Sequence, residues 1–330
     1  MNELEQIDKD KYTNVSLGID DFVARFNRYP EGMWLPETAV DIKTLECLAN
    51  LQIKYTILSP YQAQESKFFN SHYCQEVSGG RIDPTRPYLC RLPSGKSIAI
   101  FFYDKYIAQD VAFNGLLNNG ENFAKRLSSI FHNGTTPQLS HIATDGESYG
   151  HHHKLGEMAL AYCIRTIEQN PEVKLTNYGE YLEKYPPQYE IKIFESSSWS
   201  CSHGIERWKN NCGCNCGSGR NWNQEWRAPL REALNWLKHE VDKIDLPKEL
   251  EIQKYSMLMF TSCGWFFDEI SGLETTQNLK YACKVIELYE DITDINLESK
   301  FLKILSKAKS NIKEFGNGAD VYKRFCRGNI

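Results

Sequence analysis

Apolar runs of strand length alternate with helical patterns in the first part of this chain, and this alternation constrains the fold more than any other feature. Four runs have the length and composition of buried strands: Ile53–Leu58, Ser97–Tyr103, Leu139–Thr144 and Tyr189–Phe194. Between them, apolar residues recur at helical spacing. Strands that alternate with helices predict βαβ units, a parallel sheet and the α/β fold class.

The later part of the chain has a different pattern. From Trp222 onward the apolar residues keep helical spacing, and we find no convincing strand after Phe194. We therefore predict two domains, an α/β domain over residues 1–205 and a helical domain over residues 206–330.

Composition and charge exclude several classes of protein. The net charge is -5 and the sequence pI is about 6.0, which argues against nucleic acid or an anionic membrane as a partner. No apolar run approaches the roughly 18 residues of a membrane span, and the polar, acidic N-terminus does not resemble a signal peptide. The 11 cysteines then predict reduced thiols in a cytoplasmic protein.

Glu37 is the first candidate catalytic residue. It follows Pro36 in a short extended stretch that also contains Trp34. A carboxylate held beside an indole in a cleft can act as a nucleophile or as a general acid. Alternatively, Glu37 and Thr38 open the helix predicted at Ile42–Ala49, since acidic residues favour first turns.

Asp145 is the second candidate, at the end of the predicted strand Leu139–Thr144 and before Gly146. Glu147 and three histidines follow closely, and such clusters of titratable groups mark functional sites. Adjacent helical positions diverge, so His151, His152 and His153 cannot all bind one ion, and we expect an imidazole to hydrogen-bond a substrate hydroxyl. The alternative is that Asp145 or Ser148 caps a helix that starts near His152.

A third segment combines tryptophans with a cluster of thiols. Trp199 and Trp208 are candidate platforms for a sugar ring. The potential zinc ligands in this segment are Cys201, His203, Cys212, Cys214 and Cys216. The C-x-C-x-C spacing is tighter than that of common zinc knuckles, so a glycine-rich loop with free thiols is the alternative.

A fourth segment, Thr261–Ile270, joins two helical stretches. Trp265 at its centre could contact substrate. Alternatively, this segment is a junction between helices whose rings are buried.

Together the four segments resemble glycoside hydrolase family 57, a family that acts on α-glucans. Gly32–Glu37 is similar to the family's W-L-x-E segment, and Asp145–His151 to its D-x-E-x-x-G-H segment. Ser198-Trp199 and Ser262–Phe267 resemble two further family segments, and the cysteine-rich loop suggests a distinct subgroup.

The resemblance implies a (β/α)₇-type barrel followed by a C-terminal helical bundle. It also implies a retaining hydrolase or glucanotransferase that acts on α-glucan oligosaccharides or polysaccharides without a cofactor. Glu37 would be the nucleophile and Asp145 the acid/base. The expected substrate-binding residues are Trp34, Glu147, His151, Trp199, His203, Trp208 and Trp265.

Two departures from the family pattern lead to further expectations. No His-Gln-Pro segment precedes Gly32, so we expect a barrel that is incomplete at its N-terminus, with a second polypeptide as a source of the missing strand. Cys263-Gly264-Trp265 replaces an Asp-Trp pair and removes a polar contact to sugar. A non-catalytic carbohydrate-binding or zinc-stabilised remnant is therefore one alternative. Another is a metal-dependent polysaccharide deacetylase that uses Asp145 and histidines, although the chain has no H-x₃-H pair.

Overall fold

A computed structural model describes residues 3–134, 136–217, 220–244, 247 and 250–327. The chain begins with the long helix α1 (Glu3–Phe26). Contacts within the chain define two compact units. One comprises residues 25–195, and the other combines residues up to Ala24 with those from Ser196 onward. We call them the α/β unit and the helical unit.

The α/β unit is built on a seven-stranded mixed sheet. Its strands are β1 (Gly32–Met33), β2 (Tyr55–Leu58), β3 (Ala63–Phe68), β4 (Gln75–Glu76), β5 (Tyr88–Arg91), β6 (Ser97–Phe102) and β7 (Tyr189–Ile193). The order across the sheet is β1-β2-β6-β5-β7-β3-β4. β1, β2 and β6 are parallel, as are β5 and β7, whereas the β5–β6, β3–β7 and β3–β4 pairs are antiparallel. Among the described residues this order begins at β1 and ends at β4, without a pairing that joins the two ends.

In the described part of this unit, five helices accompany the sheet: α2 (Ile42–Asn50), α3 (Lys105–Ala112), α4 (Gly120–Ser128), α5 (Gly156–Glu168) and α6 (Tyr178–Lys184). Asparagine or aspartate side chains cap four of them by accepting backbone N–H groups of the first turn. The mixture of a parallel β1-β2-β6 ladder with helices confirms the predicted α/β class. The antiparallel pairs are additions that the sequence pattern did not predict.

Three of the four predicted strands are present, whereas the strand predicted at Leu139–Thr144 is wrong. This segment makes only isolated ladder bonds: the Leu139 amide donates to the Thr85 carbonyl at 2.8 Å, and the Asp104 amide donates to the His141 carbonyl at 3.0 Å. The second bond joins the segment to the chain just after the carboxyl end of β6. We call residues 139–144 the connecting segment.

The helical unit contains α7 (Arg227–Asp242), α8 (Glu251–Leu258), α9 (Cys263–Phe266), α10 (Leu273–Thr293), α11 (Glu298–Leu305) and α12 (Gly318–Cys326). Leu230, Leu234 and Leu237 of α7 are fully buried at helical spacing in a core that includes Trp226 and Trp265. In the same unit, Asp10 of α1 forms an ion pair with Lys238 of α7 at 3.0 Å. These helices confirm the predicted C-terminal helical region.

The division by contacts differs from the predicted domain limits. It falls between Glu195 and Ser196, and it places α1 up to Ala24 with the helical unit, whereas the sequence assigned residues 1–205 to one α/β domain. Of the helices that the structure describes, none has both the length and the apolar character needed to cross a bilayer.

Candidate active site

Glu37 follows the carboxyl end of β1. Because β1, β2 and β6 are parallel, their carboxyl ends lie at the same edge of the sheet, which we call the carboxyl edge. The Thr56 hydroxyl of β2 donates to the Met33 carbonyl at 2.8 Å and fixes the last residue of β1 beside its neighbour. The chain therefore enters Trp34–Glu37 at a defined position on this edge.

The backbone at Glu37 has an unusual conformation. Glu37 has φ 59° and Thr38 has φ 51°, in the left-handed region that non-glycine residues rarely occupy. Two hydrogen bonds hold Thr38: its amide donates to the Leu35 carbonyl at 2.9 Å, and its carbonyl accepts from Gln62 Nε2 at 2.8 Å. Thr38 and Gln62 are both buried. The surrounding structure thus fixes the direction in which the Glu37 side chain leaves the backbone.

Glu37 is not the N-cap of the helix that follows it. α2 begins at Ile42, and Asp41 caps it: Asp41 Oδ1 accepts from the Thr44 amide at 2.7 Å and from the Thr44 hydroxyl at 2.6 Å. The Ile42 amide donates to Glu195 Oε2 at 3.1 Å. The first turn of α2 therefore has its own carboxylates.

Asp145 is reached through the connecting segment. The connecting segment is joined to Asp104 beyond the end of β6, and Asp145 follows it directly. Asp145 is exposed and precedes the short 3₁₀ turn Gly146–Ser148, which has no side-chain cap. α5 begins only at Gly156, after Leu155, so neither Asp145 nor Ser148 is its N-cap and the predicted helix start near His152 is wrong.

β2 lies between β1 and β6, and neighbouring strands are about 4.8 Å apart, so the carboxyl ends of β1 and β6 are separated by about 10 Å. Asp145 lies beyond β6, at the end of the connecting segment.

Trp34, Glu147 and His151 are exposed in the same unit, and Trp34 keeps 42% of its surface accessible. The His151 and His152 amides both donate to the Glu147 carbonyl, at 3.1 and 2.8 Å, and their rings lie 5.1 Å apart. His153 Nε2 instead hydrogen-bonds the Ala112 carbonyl at 3.0 Å. His153 therefore has a structural contact, whereas His151 faces solvent.

The three other tryptophans in the predicted substrate set belong to the helical unit. Trp199 is half-buried there. Trp208 is buried and its Nε1 donates to the Ser262 carbonyl at 3.2 Å. Trp265 is fully buried, with its ring stacked on Phe260 at 6.3 Å between centroids. The burial of Trp208 and Trp265 favours the packing role that the sequence left open.

Four of the five proposed zinc ligands meet in the helical unit. One ligand atom from each of Cys201, His203, Cys212 and Cys214 lies within 4.8 Å of every other, and we call this group the thiol cluster. The fifth, Cys216, donates its S–H group to Asp268 Oδ2 at 3.0 Å instead. Burial raises the pKa of the Cys214 thiol, but hydrogen bonds from His203 and neighbouring groups outweigh it and lower that pKa to about 6.

The deacetylase alternative requires a metal held by Asp145 and histidines. Among the residues that the structure describes, the side chains close enough to share a metal ion are those of the thiol cluster. Asp145 and His151–His153 do not form such a group.

Three residues at these sites were missed from the sequence. Gln62 positions Thr38, and its only signal was the Ser59-x-x-Gln62 capping pattern. Arg207 and Arg227 are buried beside the thiol cluster, and both donate to the Phe266 carbonyl. Nothing in the local sequence indicates that these arginines share an acceptor almost sixty residues from Arg207.

Comparison with known proteins identifies the family. The model of glycosyl hydrolase family 57 matches residues 4–194, more than half of the chain, and a domain of unknown function (DUF3536) matches residues 222–248 and 242–330. No curated protein matches the sequence.

Among solved structures, the fold is similar to that of an exo-type maltose-forming amylase from Pyrococcus sp. ST04, with TM-score 0.63 and 15% identity over 96% of this chain and 72% of that chain. A branching enzyme from Thermococcus kodakaraensis has TM-score 0.59 and 15% identity over 98% of this chain and 68% of its own. A 4-α-glucanotransferase from Thermococcus litoralis has TM-score 0.58 and 15% identity over 82% of this chain but only 44% of its own. The fold and the family match agree, and the chain belongs to glycoside hydrolase family 57.

Proposed function

We propose that this chain cleaves or transfers α-glucan by a retaining mechanism, with Glu37 as nucleophile and Asp145 as acid/base. One observation carries the proposal: Glu37 follows β1 at the carboxyl edge, Asp145 follows the connecting segment that is bonded to the chain just beyond β6, and neither side chain caps a helix. Strand ends of this kind are where α/β barrels hold their catalytic groups.

The proposed reaction has two steps. Glu37 attacks the anomeric carbon while Asp145 protonates the departing glycosidic oxygen, which leaves a glycosyl ester on Glu37. Asp145 then takes a proton from a water molecule or a sugar hydroxyl, which displaces Glu37 with a second inversion. Retention requires the two carboxyl groups about 5–5.5 Å apart, so the two side chains must converge to that separation.

The substrate class comes from the similar structures, whose names describe an amylase, a branching enzyme and a 4-α-glucanotransferase. The exposed Trp34 ring, just before Glu37, offers an apolar platform for a sugar ring. Glu147 and His151, exposed beside Asp145, are hydrogen-bonding groups for sugar hydroxyls.

The free thiols of all the cysteines support the predicted cytoplasmic location.

Covalent trapping tests the nucleophile. We expect a 2-deoxy-2-fluoro-α-glucosyl or maltosyl fluoride to add one glycosyl mass to the intact protein, and peptide mapping to locate it on Glu37. Glu37→Gln should show no adduct because the amide cannot form the ester.

Glu31→Gln is the matched control, since Glu31 lies at the amino end of β1 and forms an ion pair with Lys54 at 2.7 Å. This variant should label like the wild type. An adduct on another carboxylate, or none with any sugar, would contradict the proposal and favour a carbohydrate-binding remnant.

A further inference from the structure

We propose that the thiol cluster binds one Zn²⁺, with Cys201, His203, Cys212 and Cys214 as its four ligands, and that the resulting zinc–thiolate group compensates a buried arginine of the helical unit. This site is independent of the proposed glucan chemistry, because every residue that it uses lies in the helical unit.

Two distances within the cluster match those of a tetrahedral zinc site. Zn–S bonds of about 2.3 Å and Zn–N bonds of about 2.0–2.1 Å place tetrahedral ligands about 3.8 Å apart for two sulfurs and about 3.5 Å apart for sulfur and nitrogen. Cys214 Sγ lies 3.8 Å from Cys201 Sγ and 3.5 Å from His203 Nδ1. The first sulfur pair is too far apart for a disulfide bond, whose S–S length is about 2.05 Å.

The donor set selects the metal and its role. Three thiolates and one imidazole in tetrahedral arrangement are a preferred set for zinc. Four protein ligands leave no open position for water or substrate, which is the arrangement of structural rather than catalytic zinc. We therefore assign the ion a structural role.

Buried charged side chains lie beside the cluster. Arg207 and Arg227 are both buried, with 4% and 0% of their surface exposed, and Asp268 is the buried carboxylate beside Arg227. Nearby Glu206 is paired with Lys209 at 2.9 Å. Three thiolates with Zn²⁺ carry one net negative charge, which compensates one of these guanidinium groups.

Both arginines also hold the backbone that carries the ligands. Arg207 Nη1 donates to the carbonyl of Ser200, next to Cys201, at 2.9 Å. Arg227 Nη1 donates to the carbonyl of Cys214 at 3.0 Å. Hydrogen bonds from residues outside the ligand set orient metal ligands in known sites.

The same arginines connect the cluster to the core of the helical unit. Arg207 Nη2 donates to the Phe266 carbonyl at 2.7 Å, and Arg227 Nη2 donates to it at 3.4 Å. Cys201 itself belongs to the buried core with Trp208. Loss of the metal would therefore affect both the loop and the packing at the end of α9.

Metal analysis of the full chain, purified without added zinc or an affinity tag that binds metal, tests the site. We expect about one zinc per chain, and three thiols that react with a thiol reagent only after a strong chelator is added. Iron in place of zinc, or a chain that holds no metal, would overturn the proposal.

Two variants test the ligand set. Cys214→Ser should lose most of the zinc, whereas Cys216→Ser, in the same loop but bonded to Asp268, should keep it. Equal loss in both variants would refute the four-ligand assignment. If Cys214→Ser does not fold, cobalt substitution of the wild type decides: the visible bands of tetrahedral Co²⁺ with thiolate charge transfer support the site, and an octahedral spectrum contradicts it. None of these measurements depends on glycosidase activity.

Discussion

Glu37 and Thr38 are consecutive residues with left-handed backbones, and neither is glycine. Such conformations cost about 1–3 kcal/mol each and persist only where neighbouring groups determine them. Here the buried Gln62 amide and the 3₁₀ bond to Leu35 supply that constraint. Strained backbone of this kind is concentrated at functional sites, which agrees with the nucleophile role proposed for Glu37.

Asp145→Asn should lower turnover of α-glucan by about 10²–10⁴-fold, because an amide can neither protonate the leaving oxygen nor activate the acceptor. A glucosyl fluoride needs no protonation of its leaving group. The first step on that substrate should therefore be nearly unchanged, and added azide, which needs no general base, should restore turnover. Steady-state rates on both substrates provide the measurement. A uniform loss on the two substrates would argue against an acid/base role.

His141 makes the connecting segment sensitive to acid. Its Nε2 contacts the Pro84 carbonyl at 2.9 Å and its Nδ1 the Tyr178 hydroxyl at 3.0 Å, and burial lowers the pKa of His141 from 6.5 to about 4. The unfolded chain binds a proton at higher pH than the folded chain does. Stability is therefore complete above about pH 6.5 and is lost as pH falls toward 4, by about 2 kcal/mol at pH 5 from this group.

His141→Gln should reduce that acid sensitivity. The free energy of unfolding in urea, measured at pH 7 and pH 5, should change less between the two pH values than in the wild type, whatever the variant loses at pH 7. His72→Gln, at an exposed position, is the control and should keep the wild-type difference. An unchanged pH dependence in His141→Gln would show that other groups cause the acid effect.

At the level of elements, the start of α2 separates helix capping from catalysis. Asp41 accepts the Thr44 amide and hydroxyl, whereas Glu37 lies in the preceding 3₁₀ turn. The sequence analysis offered Glu37 and Thr38 as the opening of this helix, whereas the cap is Asp41, four positions after Glu37. Where the helix begins decides which of these residues accepts the amide hydrogen bonds of its first turn.

Asp41→Ala should destabilise the protein by about 1 kcal/mol, the usual cost of losing an N-cap. Glu37→Gln should leave the free energy of unfolding within about 0.5 kcal/mol of the wild type. Urea unfolding of both variants at neutral pH gives the comparison. A larger loss of stability in Glu37→Gln than in Asp41→Ala would indicate that Glu37 caps the helix, and it would argue against a catalytic role.

The connecting segment shows the limit of pattern reading at this scale. Its apolar composition predicts a strand, and its position beside the end of β6 is that of a strand. However, the Leu139 amide bonds to Thr85, ahead of β5. The His141 ring bonds to Pro84 and Tyr178. The segment therefore does not form a continuous ladder with a neighbouring strand. Tertiary contacts of this kind produce no periodic pattern in the sequence.

For the molecule as a whole, the sequence predicted the family, the α/β class and the helical C-terminal region, since these depend on motifs and periodicity. It did not predict the antiparallel partners of β7 and β6, because pairing partners are set by packing across long separations. It also could not reject Cys216 as a metal ligand, because only the fold brings Asp268 to that thiol. Local secondary structure could be predicted from the sequence, whereas contacts between residues far apart in the chain could not.

The thiol cluster has a consequence for the timing of folding during synthesis. All four ligands lie between residues 201 and 214, whereas the Phe266 carbonyl that Arg207 and Arg227 share comes from a later part of the chain. Domains form from the N-terminus as the ribosome proceeds. With zinc available, the loop can fold around its ion before α9 and α10 are synthesised. The later helices then pack against a loop that is already folded. A shortage of zinc in the cell would thus act on nascent chains first and on completed enzyme last.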